Sequence, residues 1–131
     1  MLPRENFDSI CASVCERRGW MRNADQVEVK LDSGRHQIVH LDYFEHRGIP
    51  LVRLHSIIGS TKKILRDRLG YALELNFGLP HGSFAVKDDL LVLVNTLLLA
   101  DTGVTELDAC IDYLADTGDY YERSMFGADS H

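Results

Sequence analysis

The chain has 131 residues, of which 45% are hydrophobic and 26% charged; these ordinary proportions exclude extended disorder, collagen and coiled coil. The formal net charge is −6, so nucleic-acid phosphates and anionic membranes repel the chain unless a local basic patch overrides that field. The imbalance is concentrated at one end: residues 1–100 hold 13 basic and 12 acidic side chains, residues 101–131 only Arg123 against eight acidic ones.

Residues 3–18 read as an amphipathic helix. Phe7, Ile10, Cys11 and Val14 follow the spacing of one apolar stripe. Pro3 suits the first helical position, where its missing N–H costs nothing. Gly19 followed by Trp20 is a stop signal, with glycine in the left-handed position and the next apolar residue folding back. Arg4 and Glu5 stand where a signal peptide needs its apolar run, so no secretion is expected.

Three strands are expected next. Val27, Val29 and Leu31 alternate with Gln26, Glu28 and Lys30, the period of a half-buried strand. Asp32-Ser33-Gly34 is a turn. A second strand over 35–45 has Val39, Leu41 and Tyr43 on one face and His36, Ile38, His40, Asp42 and Phe44 on the other. Arg47-Gly48 turns the chain into a third strand, from Ile49 to about Ile57. Short connections make this an antiparallel meander.

Gly59-Ser60 is read as the end of the meander and Ser60 as the cap of a helix. The spacing of Leu65, Leu69, Ala72, Leu73 and Asn76 predicts a helix over 61–76. Residues 78–82 form a loop. Ser83–Lys87 and Leu90–Leu99 then form a hairpin across Asp88-Asp89. The second of these strands is apolar on both faces, with Leu90, Val92, Val94 and Leu98 on one and Leu91, Leu93, Leu97 and Leu99 on the other. Such a strand must be covered on both sides. Its apolar stretch is too short for a bilayer, which needs about 20 residues.

The last helix has the steadiest period, through Leu107, Ile111, Leu114, Gly118, Tyr121 and Met125, with Thr105 and Asp108 as its cap. Glu106, Asp108, Asp112, Asp116 and Asp119 occupy its other faces. The fold class is α+β, one domain over 1–131 with an antiparallel sheet and the order α-β-β-β-α-β-β-α.

Residues with chemistry are scattered. His36, His40, Asp42 and His46 share one strand face, but neighbours there stand about 6.6 Å apart, while ligands of one zinc ion all lie about 2 Å from it. Only His40 and Asp42 could share a metal, so no metal site is expected. Cys11, Cys15 and Cys110 lack CxxC spacing and read as buried thiols in a reducing, cytoplasmic setting. Phosphate-loop, GxGxxG and GxSxG signatures do not occur. Asp88-Asp89 sits on an exposed turn that cannot raise a carboxyl pKa for acid–base work. No catalytic residue and no cofactor are expected. The one basic cluster, Lys62-Lys63-Ile64-Leu65-Arg66-Asp67-Arg68, would put a basic face on helix 61–76. A regulator contacting nucleic acid through that helix is the competing reading, but no aromatic residue interleaves.

The C-terminal half carries a resemblance. A helix ending in Leu73-Glu74-Leu75-Asn76 is followed by the strand Gly82-Ser83-Phe84-Ala85-Val86, a turn, the apolar strand Leu90 to Leu99, the polar break 101–107 and the last helix. This resembles the YbjN and type III secretion chaperone-like (Tir chaperone-like) families over about 50 residues, and the first 70 agree in order of elements. The resemblance implies a small acidic homodimer that binds protein. Secretion chaperones of this fold hold an extended segment of an effector; the YbjN-like branch is described as regulators or sensory-transduction proteins. The ending DYYERSMFGADSH suits that branch at least as well. Leaving either leucine row in water would create an interaction patch. The row Leu91, Leu93, Leu97 and Leu99 is therefore the candidate surface for a dimer or a protein partner, with helix 61–76 beside it.

Overall fold

The computed structural model describes residues 2–64 and 66–127. Helix α1 runs Pro3–Arg18 and buries Phe7, Cys11, Val14 and Cys15. It stops as expected: Gly19 takes φ 73°, and the Trp20 N–H donates to the Cys15 carbonyl at 2.9 Å. That bond satisfies a carbonyl the helix end would otherwise orphan.

One six-stranded sheet follows. Strands β1 (Met21–Arg22), β2 (Gln26–Lys30), β3 (His36–His46), β4 (Ile49–Ser60), β5 (Ser83–Lys87) and β6 (Leu90–Leu98) lie in the order β1-β2-β3-β4-β6-β5. All neighbours are antiparallel. Two-residue β1 is an addition to the expected order, too short to leave an alternation in the sequence. The β3–β4 turn holds Arg47 and Gly48 at φ 52° and 79°, and the β5–β6 turn holds Asp88 and Asp89 at 51° and 63°. Positive φ at both central residues matches the right-handed twist of the flanking strands.

Helix α2 spans Arg66–Leu75, which corrects the expected 61–76. Ser60 is not a helix cap but the last residue of β4. Thr61 is held by the β5–β6 turn, its N–H and Oγ1 both donating to the Asp89 carbonyl at 2.8 and 3.0 Å. The Lys62 N–H donates back to Ser60 Oγ at 3.2 Å, so residues 61–64 turn instead of coiling. Lys62 and Lys63 therefore precede α2 and do not extend a basic helical face. Leu65, counted in the expected stripe, lies outside the described residues.

Helix α3 spans Val104–Glu122 and buries Leu107, Ile111, Leu114 and Gly118 of the expected stripe, with Cys110, Ala115 and Asp119 beside them, while Tyr121 is half-buried. Its cap is Gly103, with no side-chain capping bond, rather than Thr105. Asp108 is instead drawn across to α1, where it accepts from Arg17 Nη2 at 2.8 Å and Arg18 Nη2 at 2.6 Å. Asp108 stands one turn into α3 and faces α1, where two arginines bind its carboxylate. Met125 is buried after the helix, and the Phe126 ring rests where a side chain on Gly59 would otherwise sit.

The core lies between the helices and one face of the sheet. From β2 to β6 that face carries Val27, Val29, Val39, Leu41, Val52, Leu54, Leu91 and Leu93, all buried. Ser56, among them, donates to the Leu114 carbonyl at 3.0 Å, which satisfies a polar group that burial would otherwise penalise. Phe7 meets Tyr43 and Phe84 meets Tyr121 edge to face. No described helix is long and apolar enough to cross a membrane.

Candidate functional site

The register of the strands decides which side chains face away from the helices. Ladder pairs His40–His55, Asp42–Arg53 and Phe44–Leu51 join β3 to β4, and Arg53–Thr96, His55–Val94 and Ile57–Val92 join β4 to β6. Ser83–Val94, Ala85–Val92 and Lys87–Leu90 complete the row at β5. The second face of β6, Leu90, Val92, Val94 and Leu98, thus lies on the side of the sheet opposite the row that fills the core, and from α3 the terminal Glu122 reaches a hollow there beside His36, His40 and Ile57. Ile38 and Leu98 are exposed there.

Within this open face, the His40 and His55 rings stack with centroids 4.8 Å apart at 18°. His55 Nδ1 lies 3.4 Å from Asp42 Oδ2. Burial, then the neighbouring His40, hold the His55 pKa below its ordinary value, against the pull of Asp42. Imidazole neutrality therefore prevails near pH 7. Arg53 lies over the Phe44 ring at 4.2 Å, fixed by its ladder position and by the ring's negative face. Beside this pair runs a groove of about 240 Å³ lined by Arg53, His55, Ala85, Lys87, Val92 and Val94. It offers an apolar floor with cationic walls and no carboxylate in its lining.

A second opening, of about 250 Å³, lies between α2 and the β5 edge, lined by Leu69, Ala72, Leu73, Phe84, Val86 and Leu91 among others. Of these, Leu73 is 68% exposed and Val86 58%. Strand β5 is the outermost of the sheet, so its outward backbone groups make no ladder bonds.

The row Leu91, Leu93, Leu97 and Leu99, expected as the partner surface, is buried in the chain's own core. Alternation places it under the helices, so a partner could reach it only by displacing them; the uncovered row is the other one. His36, His40 and Asp42 do share a face as expected, and among the described residues no group of three or more His, Cys, Asp or Glu could hold a metal. Cys11, Cys15 and Cys110 are free and buried. The Cys11 thiol is pushed far up by its hydrogen bond with Cys15 and by burial, and burial raises Cys110 as well. Neither resembles a reactive thiolate. Arg53 and His55 were missed in the sequence. Their signal was there, because counting back equally from a two-residue turn at Arg47-Gly48 pairs His40 with His55.

No family model matches the chain, and no curated protein is similar enough to it to match. Solved structures are. The crystal structure of the Yersinia pestis type III secretion chaperone SycH with a stable fragment of YscM2 aligns at TM-score 0.58 and 22% identity, over 88% of this chain and 98% of that one. The ExsC–ExsE complex aligns at 0.69 and 12% identity over 95% and 97%. The HopA1–SchA chaperone–effector complex aligns at 0.62 and 8% over 92% and 95%. The chain has the fold of the type III secretion chaperones.

Proposed function

We propose that this chain is a non-catalytic, cytoplasmic protein-binding module of the secretion-chaperone kind that holds a segment of a partner polypeptide on the open face of its sheet. The observation that carries the reading is the second row of β6. Val94, half-buried, and Leu98, exposed, lie beside the buried Val92 on the face of β6 opposite the row that fills the core. Apolar surface of that kind, rimmed by polar groups, marks a site of interaction. The three similar structures are chaperones or complexes, which supports chaperone-like binding over the regulator reading of the YbjN-like branch.

Self-association belongs to the same proposal. The exposed Leu73 and Val86 line the groove between α2 and the edge strand β5, a surface that a second copy would cover under a twofold axis. Sedimentation equilibrium gives the answer: a mass near twice 14.8 kDa is expected, and a clean monomer at high micromolar concentration would remove the dimer.

Partner binding is tested by comparing the polypeptides retained from native host extract by the wild-type chain and by Val94→Asp and Leu98→Asp variants. A polypeptide held by the first and lost from both folded variants is the expected result. Identical retained sets would place the partner surface elsewhere.

A further inference from the structure

The groove beside His40 and His55 has walls of one sign. We propose that it selects an acidic, apolar-alternating segment of the partner polypeptide and grips it more tightly as pH falls through the histidine range. The proposal rests on the open face being the partner surface, and it adds the chemistry of the partner and a control by protons.

Of the six residues lining the groove, Arg53 and Lys87 are cationic, His55 is titratable and Ala85, Val92 and Val94 are apolar. A segment entering it as an extended strand would alternate its side chains. The row that faces the groove would meet Val92 and Val94 together with Arg53 and Lys87, which all lie on one face of the sheet. Carboxylates in that row form charge-assisted hydrogen bonds with the two cations, which lysines could not. An acidic occupant is thus favoured although the whole chain is acidic.

Charged, titratable and polar groups face the histidine pair from the neighbouring elements. From β3 these are His36 and Asp42; from β4, Arg53; from β2, Gln26 opposite His40, with Glu28 and Lys30 along the strand; from β5, Lys87. Strand β6 contributes the uncharged Val92, Val94 and Thr96. Glu122 at the end of α3 lines the adjoining hollow with His36, Ile38, His40 and Ile57. The carboxylates of this set already have neighbours: Glu28 lies 3.7 Å from His36 Nδ1 and Asp42 3.4 Å from His55 Nδ1. Protonating the stacked pair in the empty protein sets two like charges against each other beside Arg53 and Lys87, which is costly. A bound carboxylate relieves that repulsion. His55, which lines the groove, therefore binds its proton more readily in the complex, binding takes up protons, and affinity rises as pH falls.

Two labelled ten-residue peptides provide the probe, one alternating Leu and Glu, the other Leu and Gln, measured by fluorescence anisotropy from pH 7.5 to 5.5. The Glu peptide is expected to bind about tenfold more tightly than the Gln peptide at pH 5.5, and to gain about three- to tenfold between the two pH values, as a shift of up to one unit at one histidine implies. A His40→Asn/His55→Asn variant should keep the preference and lose the pH dependence. Arg53→Gln/Lys87→Gln should lose the preference. If the double histidine variant does not fold, His40→Asn alone, at a half-buried position, should weaken the pH dependence. Equal binding of both peptides, or a pH dependence unchanged by the histidine substitutions, overturns this proposal and leaves the open face as a partner surface. Binding of neither peptide at any pH overturns the open-face reading itself.

Discussion

Arg35 grips Asp119 from two directions, with Nη2 2.7 Å from Oδ2 and Nε 3.1 Å from Oδ1. The pair joins the β2–β3 turn to the far end of α3, and Arg123 adds a third contact to the same carboxylate at 3.2 Å. The Asp119 side chain is only 8% exposed, although the period of the helix assigns it to a solvent face. A carboxylate removed from water this far depends on its partners. Asp119→Ala should therefore cost about 1–3 kcal/mol in chemical denaturation, since two arginines lose their acceptor. Asp116→Ala, at an exposed position of the same helix, should stay within about 0.5 kcal/mol. Equal effects would mean that the Arg35 clamp contributes nothing.

The α1–α3 junction has a pH signature. Hydrogen bonds from Arg18 and then Arg17 hold Asp108 down to a pKa of about 2, from 3.8. A depressed carboxylate stabilises the fold fully above its unfolded value and loses that contribution as pH falls through its folded one. The loss belongs between about pH 4 and pH 2. Asp108→Asn should lower stability at pH 7 by about 1 kcal/mol, a modest figure because both arginines face solvent. The difference between variant and wild type should vanish near pH 2; a difference constant with pH would assign it to packing.

How much of this was legible in the sequence depended on the range of the interaction. The strands β2, β3 and β5 and the stripes of α1 and α3 were written in local period, and they came out within a residue or so. The start of α2 was not, because Thr61 is held by Asp89, 28 residues away. The same holds for Asp108, which faced a cap by position and arginines by fold. At the candidate site the error was one of side, not of strand. Both rows of β6 are equally apolar, and only the handed path of α1 and α3 over the sheet decides which is buried. His55 was readable from the turn; Lys87 and Val94 needed the β4–β6 pairing, which no short turn encodes.

The β5–β6 turn carries removable strain. Asp89 sits at φ 63°, where glycine meets no Cβ penalty. Its carbonyl holds Thr61, a bond that glycine retains. Its carboxylate is 3.8 Å from the exposed Lys62, a pair of little worth. Asp89→Gly should therefore raise stability by about 0.5–1 kcal/mol, with the thermal midpoint as readout. A lowered midpoint would mean that the aspartate side chain does more than fill the turn.

Two helical glycines should respond to alanine with opposite signs. At Gly118 a Cβ would lie 2.8 Å from Ser56 Cβ and 3.2 Å from its Oγ, on the side chain that bonds Leu114. At Gly70 a Cβ meets nothing within 4 Å. Gly70→Ala should stabilise by up to about 1 kcal/mol, the ordinary helix-propensity gain. Gly118→Ala collects the same gain but forces α3 off the sheet and should destabilise by about 1–3 kcal/mol. Stabilisation at both positions would show that α3 stands further from β4 than the Ser56 bond requires.

Leu93 and Val94 are chain neighbours on opposite faces of β6, and the two carry the sharpest contrast in the molecule. Leu93 is fully buried between its ladder partners Ser56 and Phe84, on the side where α3 lies. Val94 is half-buried opposite His55, on the uncovered side. An aspartate at 93 would be an unpaired charge in an apolar core, costing more than about 4 kcal/mol. Against a total stability of about 5–15 kcal/mol for a domain, that removes a large part of the margin, so Leu93→Asp should be strongly destabilised and largely unfolded at low urea. An aspartate at 94 can reach water and lies near Arg53 and Lys87, so Val94→Asp should remain folded within about 1 kcal/mol of wild type. Circular dichroism and a urea titration of the two variants decide the matter. If Val94→Asp unfolds as well, both rows of β6 are buried in solution, and the surface read here as open is closed by a second copy of the chain.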